Sequence, residues 1–146
     1  MDKLEKMACL ACIIVMLVPI KAAARTDVKQ SSTFDWSPVI NAIIQVESEG
    51  KANAVDKSGK SCGILQITPI LVKECNRILK LQKDSRRYTM DDRFSVSKSK
   101  EMFLLYQSYY NPGNNVEFAI RSWNGGSHYS RRGTQRYFEK VMSKMK

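Results

Sequence analysis

The apolar residues after position 36 recur at helical spacing, in segments that proline and glycine separate. The first segment begins at Ser37-Pro38, carries isoleucines at i, i+3 and i+4 from Ile40 onward, and stops before Gly50. Serine is a good N-cap, proline is favoured in the first helical turn, and glycine commonly follows a helix C-terminus. The pattern therefore predicts a helix that ends shortly before Gly50.

Four more segments with helical spacing follow, joined by a loop at residues 51–67, a polar connection at 81–95 and short Asn/Gly-rich breaks. Their predicted starts are Thr68-Pro69, Ser97, Asn114 with Glu117 as a capping pair, and Thr134 as a cap. In the second segment, the spacing places Ile70 on the packed face. Sustained period-two alternation is absent from the sequence, so we expect one all-α (mainly α) domain.

The first 24 residues differ from the rest of the chain. Lys3 and Lys6 precede an apolar run at residues 7–20, and three alanines end at Ala24. This order is typical of a secretory signal peptide, and the run is shorter than the about 20 apolar residues of a spanning helix. We expect a signal peptide at 1–24, a flexible lead at 25–33 and a catalytic domain at 34–146, exported to the periplasm or cell envelope. The alternative is that the signal is retained as an anchor.

The chain is strongly basic. Its formal net charge is +10, and loss of residues 1–24 removes three lysines and two acids, which leaves +9. A basic surface either favours an anionic partner or serves only solubility, and an exported protein rarely meets nucleic acid, whereas it does meet anionic cell-wall polymers. The basic residues are also spread along the sequence instead of clustering on one helix with aromatic residues, which argues against nucleic-acid binding.

Two cysteines lie after residue 24, at Cys62 and Cys75. Outside the cytosol they either form a disulfide or remain as two buried thiols. The chain has a single histidine, His128, and no cysteine cluster, so we expect no metal and no cofactor.

Glu47 lies seven residues after Ile40, and therefore on the same apolar stripe of the first helix. A carboxylate there is costly, and the last turn of a helix presents the negative end of its dipole. Both effects raise the pKa of a carboxyl group, as a general acid requires near neutral pH. The alternative is a glutamate at the rim of the stripe, with its carboxylate in water.

Four short motifs occur in a fixed order over residues 36–142. They are Glu47-Ser48, Gly63-Ile64-Leu65-Gln66-Ile67 with Pro69, Trp123-Asn124-Gly125-Gly126, and Thr134 with Tyr137 and Val141. This series resembles the SLT-type lytic transglycosylases of the lysozyme-like superfamily. Here Leu65 stands where the family has methionine, and Trp123 stands where it has tyrosine. These departures concern the sugar preference of the groove rather than the reaction.

The resemblance implies a lysozyme-like fold and a peptidoglycan lytic transglycosylase that needs one carboxyl group. Glu47 would protonate the β-1,4 bond between N-acetylmuramic acid and N-acetylglucosamine, and would then accept a proton as a 1,6-anhydro-muramoyl product forms. The substrate-binding residues that it implies are Ser48, Gln66, Trp123, Asn124 and Tyr137.

Two other functions remain open from the sequence. A lysozyme-type hydrolase on the same fold would use water and a second carboxylate, for which Asp56 is the candidate. A non-catalytic peptidoglycan-binding module would need no glutamate. The sequence also leaves open whether a monomeric enzyme serves wall turnover or opens a passage for a secretion or conjugation apparatus.

Overall fold

The computed structural model describes residues 34–145, and this part of the chain is mainly helical. Its α-helices are α1 (Ser37–Glu47), α2 (Pro69–Leu81), α3 (Val96–Tyr110), α4 (Val116–Gly125) and α5 (Arg131–Met142), with a 3-10 helix at Asp91–Phe94. Within these residues β-pairing is limited to two isolated bridges, both at Cys62. The prediction of an all-α fold is confirmed, while the predicted signal peptide and flexible lead lie outside the described residues.

The first two helices begin close to the predicted positions. At α2, the hydroxyl oxygen of Thr68 accepts a hydrogen bond from the backbone N–H of Leu71 at 3.2 Å, as the cap-and-proline pattern predicts. At α1, the predicted cap was wrong. The carboxylate of Asp35 accepts from the N–H of Ser37 at 2.9 Å, and Ser37 is already the first helical residue.

The predicted caps of α4 and α5 were wrong as well. Asn115 caps α4, because Asn114 lies in a left-handed turn with φ 52° and is outside the helix. Ser130 caps α5 one turn before Thr134, which is buried inside the helix. In both cases the correct cap is a residue of equal capping ability that lies slightly apart in sequence.

Packing of α5 against α4 and α1, and of α2 against α3, places the core between the helices. Ile70 was expected on the packed face of α2, but it is 79% exposed, and Val72 is the residue buried there. Cys62 and Cys75 are both buried free thiols. Burial raises the pKa of the Cys75 thiol to about 12. Over residues 34–145 no helix is long and apolar enough to cross a membrane.

Candidate active site

A cleft with a volume of about 790 Å³ opens beside the C-terminal end of α1. Its walls come from the loop after α1, from α2 between Ile70 and Arg77, from the end of α3 and from the end of α4. Concave sites of this size are typical of ligand binding. Four of the residues expected to act at the site line this one cleft: Glu47, Gln66, Trp123 and Asn124.

Glu47 is the last residue of α1 and is half-buried at the cleft. Burial raises the pKa of its carboxyl group above the ordinary value of 4.5, and a hydrogen bond from Tyr137 acts in the opposite direction. The helix C-terminus adds to the raising effect, because its dipole disfavours a negative charge. The net shift is upward, so the protonated form is favoured more than in an exposed glutamate.

Tyr137 reaches Glu47 from the second turn of α5. Its hydroxyl group donates a hydrogen bond to Oε1 of Glu47 at 2.6 Å. Burial, and then the charge of Glu47, raise the pKa of the Tyr137 hydroxyl well above its ordinary value. This hydroxyl therefore keeps its proton and acts as a fixed donor to the carboxylate.

Arg121, in α4, forms hydrogen bonds to α5 at Thr134 and Gln135, within one turn of Tyr137. It is 4% exposed, and its guanidinium donates to the carboxylate of Glu117 at 2.8 Å and to the hydroxyl of Thr134 at 3.1 Å. It also donates to the side chain of Gln135 at 2.8 Å. The structural role of Arg121 was not predicted from the sequence. The i, i+4 spacing of Glu117 and Arg121 is the local feature that indicates an ion pair there.

Ser48 does not line the cleft, although the resemblance implied that it binds substrate. It is buried, and its hydroxyl donates to the backbone carbonyl of Ile64 at 2.8 Å. This contact fixes the loop that follows Gly63 against the end of α1. Any effect of Ser48 on the cleft is therefore exerted through the loop.

Gln66 and Trp123 line the cleft and are also bound to the same loop. The amide nitrogen of Gln66 donates to the carbonyl of Gly63 at 2.9 Å, and the backbone of Gln66 has a left-handed φ of 49°. The indole N–H of Trp123 donates to the carbonyl of Leu65 at 3.2 Å. These bonds hold both side chains in place at the cleft before any ligand binds.

The other two carboxylates that line the cleft differ from Glu47. Hydrogen bonds from Ser58, and from the backbone of Ser61 and Lys60, lower the pKa of Asp56. A hydrogen bond from Arg77 is the main cause that lowers the pKa of Glu74. Of the three, Glu47 has the raised pKa. In the described part of the chain, no three His, Cys, Asp or Glu side chains come together as a metal site requires.

Several cleft residues of α2 and α3 were not found from the sequence. They are Lys73, Glu74, Arg77, Tyr106 and Tyr110. At helical spacing, the charged residues of α2 have the pattern of a solvated face. Because α2 packs on α3 beside the loop, that face instead forms one wall of the cleft.

Comparison with protein-family models matches residues 26–145 to the family described as Transglycosylase SLT domain. The matched range includes Glu47, the loop after Gly63 and the end of α4, which together line one side of the cleft. Neither the curated proteins nor the solved structures gave a match to the chain.

Proposed function

Because the chain belongs to the transglycosylase SLT domain family, we propose that it is a peptidoglycan lytic transglycosylase. It cleaves the β-1,4 bond between N-acetylmuramic acid and N-acetylglucosamine, and it leaves a 1,6-anhydro-muramoyl end. The observation that supports this reaction best is Glu47, a cleft carboxyl with a raised pKa and one fixed donor, Tyr137.

Glu47 acts first as the acid. Its protonated carboxyl group gives a proton to the glycosidic oxygen, the bond from that oxygen to the muramoyl C1 breaks, and N-acetylglucosamine leaves as an alcohol. The acetamido group of the muramoyl residue stabilises the positive charge at C1. The burial of Glu47 supports this step, since a raised pKa keeps the proton available near neutral pH.

Glu47 acts second as the base. Its carboxylate removes the proton of the muramoyl 6-hydroxyl, whose oxygen bonds to C1 and closes the anhydro ring. Glu47 is then protonated again, so the cycle needs no second carboxylate. The hydrogen bond from Tyr137 supports this step, because it stabilises the carboxylate that exists between the two proton transfers.

Gln66, Trp123 and Asn124 hold the sugars in the cleft. Trp123 offers an indole surface on which a sugar ring stacks, and Asn124 is exposed at the cleft, where its amide can bind an acetamido or hydroxyl group. Ser48 and Tyr137 act on the carboxylate side, Ser48 through the loop and Tyr137 directly.

The hydrolase alternative depends on Asp56. One of its carboxylate oxygens accepts from the backbone of Lys60 and Ser61 at 2.8 and 3.0 Å, and the other accepts from the hydroxyl of Ser58 at 2.7 Å. These bonds explain Asp56 as a loop-stabilising residue. We therefore favour the single-carboxyl reaction over a water-using one.

Export is part of the same proposal. Residues 1–24 direct the protein to the periplasm or cell envelope, where it meets the glycan strands as a monomer. Cleavage there suits either wall turnover or local opening of the wall for a secretion or conjugation apparatus.

Release of soluble fragments from purified peptidoglycan tests the role of Glu47. Glu47→Gln is expected to lower the rate a hundredfold to ten-thousandfold, about the usual contribution of general acid–base catalysis. Glu49→Gln is the matched control, because Glu49 is exposed and pairs only with Lys51 at 3.3 Å among the described residues. It should stay within about twofold of wild type. Full activity of Glu47→Gln would overturn the assignment.

A further inference from the structure

A row of α2 residues lines a part of the cleft that the proposed reaction does not use. The row consists of Ile70, Lys73, Glu74 and Arg77, at positions i, i+3, i+4 and i+7 of the helix. At about 1.5 Å per residue, it extends about 10 Å along the helix from Ile70 to Arg77. Because α2 begins directly after the loop that holds Gln66, the row leads away from the side of the cleft that contains Glu47 and Gln66.

The far end of the row is a prearranged polar group. Arg77 donates two hydrogen bonds to the carboxylate of Glu74, at 2.9 and 2.6 Å, and a third to the hydroxyl of Tyr110 at 3.1 Å. Tyr110 in turn donates to Glu74 at 2.5 Å. The network therefore holds its polar groups in a fixed arrangement at the cleft.

Lys73 gives this part of the cleft a net positive charge. The charges of Glu74 and Arg77 cancel within their pair, at 2.6 Å. Lys73 is exposed at the cleft and forms no ion pair with a carboxylate of residues 34–145. An anionic group entering the cleft would therefore be attracted to Lys73.

Ile70 lies at the start of the row with its side chain in solvent. It is 79% exposed, more than any other large hydrophobic residue in the described part of the chain, and it lines the cleft. Ligand pockets are lined mainly by apolar side chains, and Ile70 supplies such a surface to this part of the cleft. The row therefore presents first an apolar surface, then a positive charge, then fixed polar groups.

We propose that this row binds the stem peptide of the peptidoglycan strand, which makes the enzyme prefer peptide-bearing strands. The inference rests on the proposed function. In a peptide-bearing strand the lactyl carboxyl of each muramic acid is consumed in an amide bond, so the glycan itself carries no charge there. The attached peptide begins with methyl groups and has free carboxylates further along. An extended peptide spans about 3.3–3.6 Å per residue, so three residues match the row of about 10 Å.

Each part of the row then has a partner in the stem peptide. Ile70 contacts the methyl groups of the lactyl unit and of the first residue. Lys73 binds a carboxylate of the second residue. The Glu74–Arg77–Tyr110 network binds backbone amide groups beyond it.

Calorimetric titration of the Glu47→Gln protein, which binds without cutting, tests this site. The two probes are the disaccharide N-acetylglucosaminyl-N-acetylmuramic acid with its lactyl carboxyl capped as the uncharged methylamide, and the same disaccharide bearing L-alanyl-D-glutamate. We expect the peptide form to bind about tenfold more tightly, and Lys73→Glu to abolish that difference. Lys80→Glu is the control, since it makes the same charge change on α2 at an exposed position outside the cleft. It should alter neither affinity by more than about twofold.

Equal affinity for the two probes, no measurable binding of the peptide form, or equal losses from Lys73→Glu and Lys80→Glu would overturn the peptide site. Product analysis of the protein with Glu47 intact separates this result from the proposed function. Anhydro products without a preference for peptide-bearing strands would contradict only the proposed peptide site. A preference for peptide-bearing strands without anhydro products would contradict only the proposed reaction.

Discussion

The hydroxyl group of Tyr137 donates a 2.6 Å hydrogen bond to Oε1 of Glu47, and the two residues are 90 positions apart in sequence. This bond favours the ionised carboxylate, while burial favours the protonated carboxyl group. Burial is the larger effect, so the pKa of Glu47 is raised but remains within reach of ionisation. A group that serves as acid and then as base in one cycle needs this balance.

Tyr137→Phe tests the opposing effect of the hydrogen bond. Without the donor, the pKa of Glu47 should rise further, so the loss of activity at alkaline pH should move to higher pH. The maximal rate should fall about tenfold to a hundredfold, because the carboxylate loses a charge-assisted bond worth about 1.5–3 kcal/mol. The pH profile of kcat/KM measures both effects.

Tyr129→Phe, with a hydroxyl outside the cleft, should leave the profile unchanged. A shift of the alkaline limb to lower pH in Tyr137→Phe would contradict this account.

Glu47→Gln is expected to stabilise the fold at alkaline pH. Because the folded-state pKa of Glu47 is above its ordinary value of 4.5, ionisation costs stability. That stability is fully present below the unfolded pKa and is lost as pH rises through the folded pKa. At about pH 8 the variant should therefore gain stability and unfold at a higher Tm than the wild type.

Thermal unfolding at two pH values provides the check. At about pH 4 the gain should disappear, because Glu47 is then protonated in both states. The exposed control Glu49→Gln should stay within about 0.5 kcal/mol at either pH. A Glu47→Gln protein that is less stable than wild type at alkaline pH would contradict the burial argument.

Gly63 and Gly59 allow a matched test of the loop. Both have left-handed backbones, with φ of 79° and 72°, but a Cβ at Gly63 would lie 1.7 Å from the backbone carbonyl oxygen of Arg93. A Cβ at Gly59 would meet no atom within 4 Å. We expect Gly59→Ala to cost about 1 kcal/mol and Gly63→Ala to cost about 3 kcal/mol or more. Urea unfolding measures both, and equal costs would show that the contact with Arg93 is not rigid.

Arg121→Met should destabilise the protein by about 3 kcal/mol. It removes a buried cation whose hydrogen bonds join α4 to α5, and it leaves the side-chain oxygen of Gln135 without its donor. Arg132→Met, at an exposed position of α5, should change the unfolding free energy by less than about 0.5 kcal/mol. Urea unfolding of the two variants distinguishes a specific effect from a general loss of positive charge, which would affect both equally.

The sequence predicted the number and order of the α-helices, because apolar period and Gly/Pro breaks act locally. Helix starts were less predictable where two capping residues compete. Asn114 and Asn115 cap equally well in isolation, and the left-handed turn at Asn114 decides between them. Ser130 is harder to recognise as the cap than Thr134, because Arg131-Arg132-Gly133 lacks the apolar spacing of a helical turn.

The site was predictable only where a family motif marked it. The period of the first helix placed Glu47 on the buried stripe, and the motifs pointed to Gln66, Trp123 and Asn124. The α2 wall of the cleft was not predicted, because Lys73 and Arg77 lie on the polar side of α2. That side becomes part of a cleft only when α2 packs against α3 and the loop. The local sequence pattern carries no information about that packing.

Digestion of purified peptidoglycan in water enriched in heavy oxygen tests the central claim most directly. If Glu47 alone serves as acid and base, mass spectrometry should find 1,6-anhydro-muramoyl ends that carry no solvent oxygen, and the Glu47→Gln protein should release none. Reducing muramoyl ends that carry heavy oxygen would show that water attacks C1. That result would contradict the single-carboxyl mechanism and would assign the protein to the hydrolases.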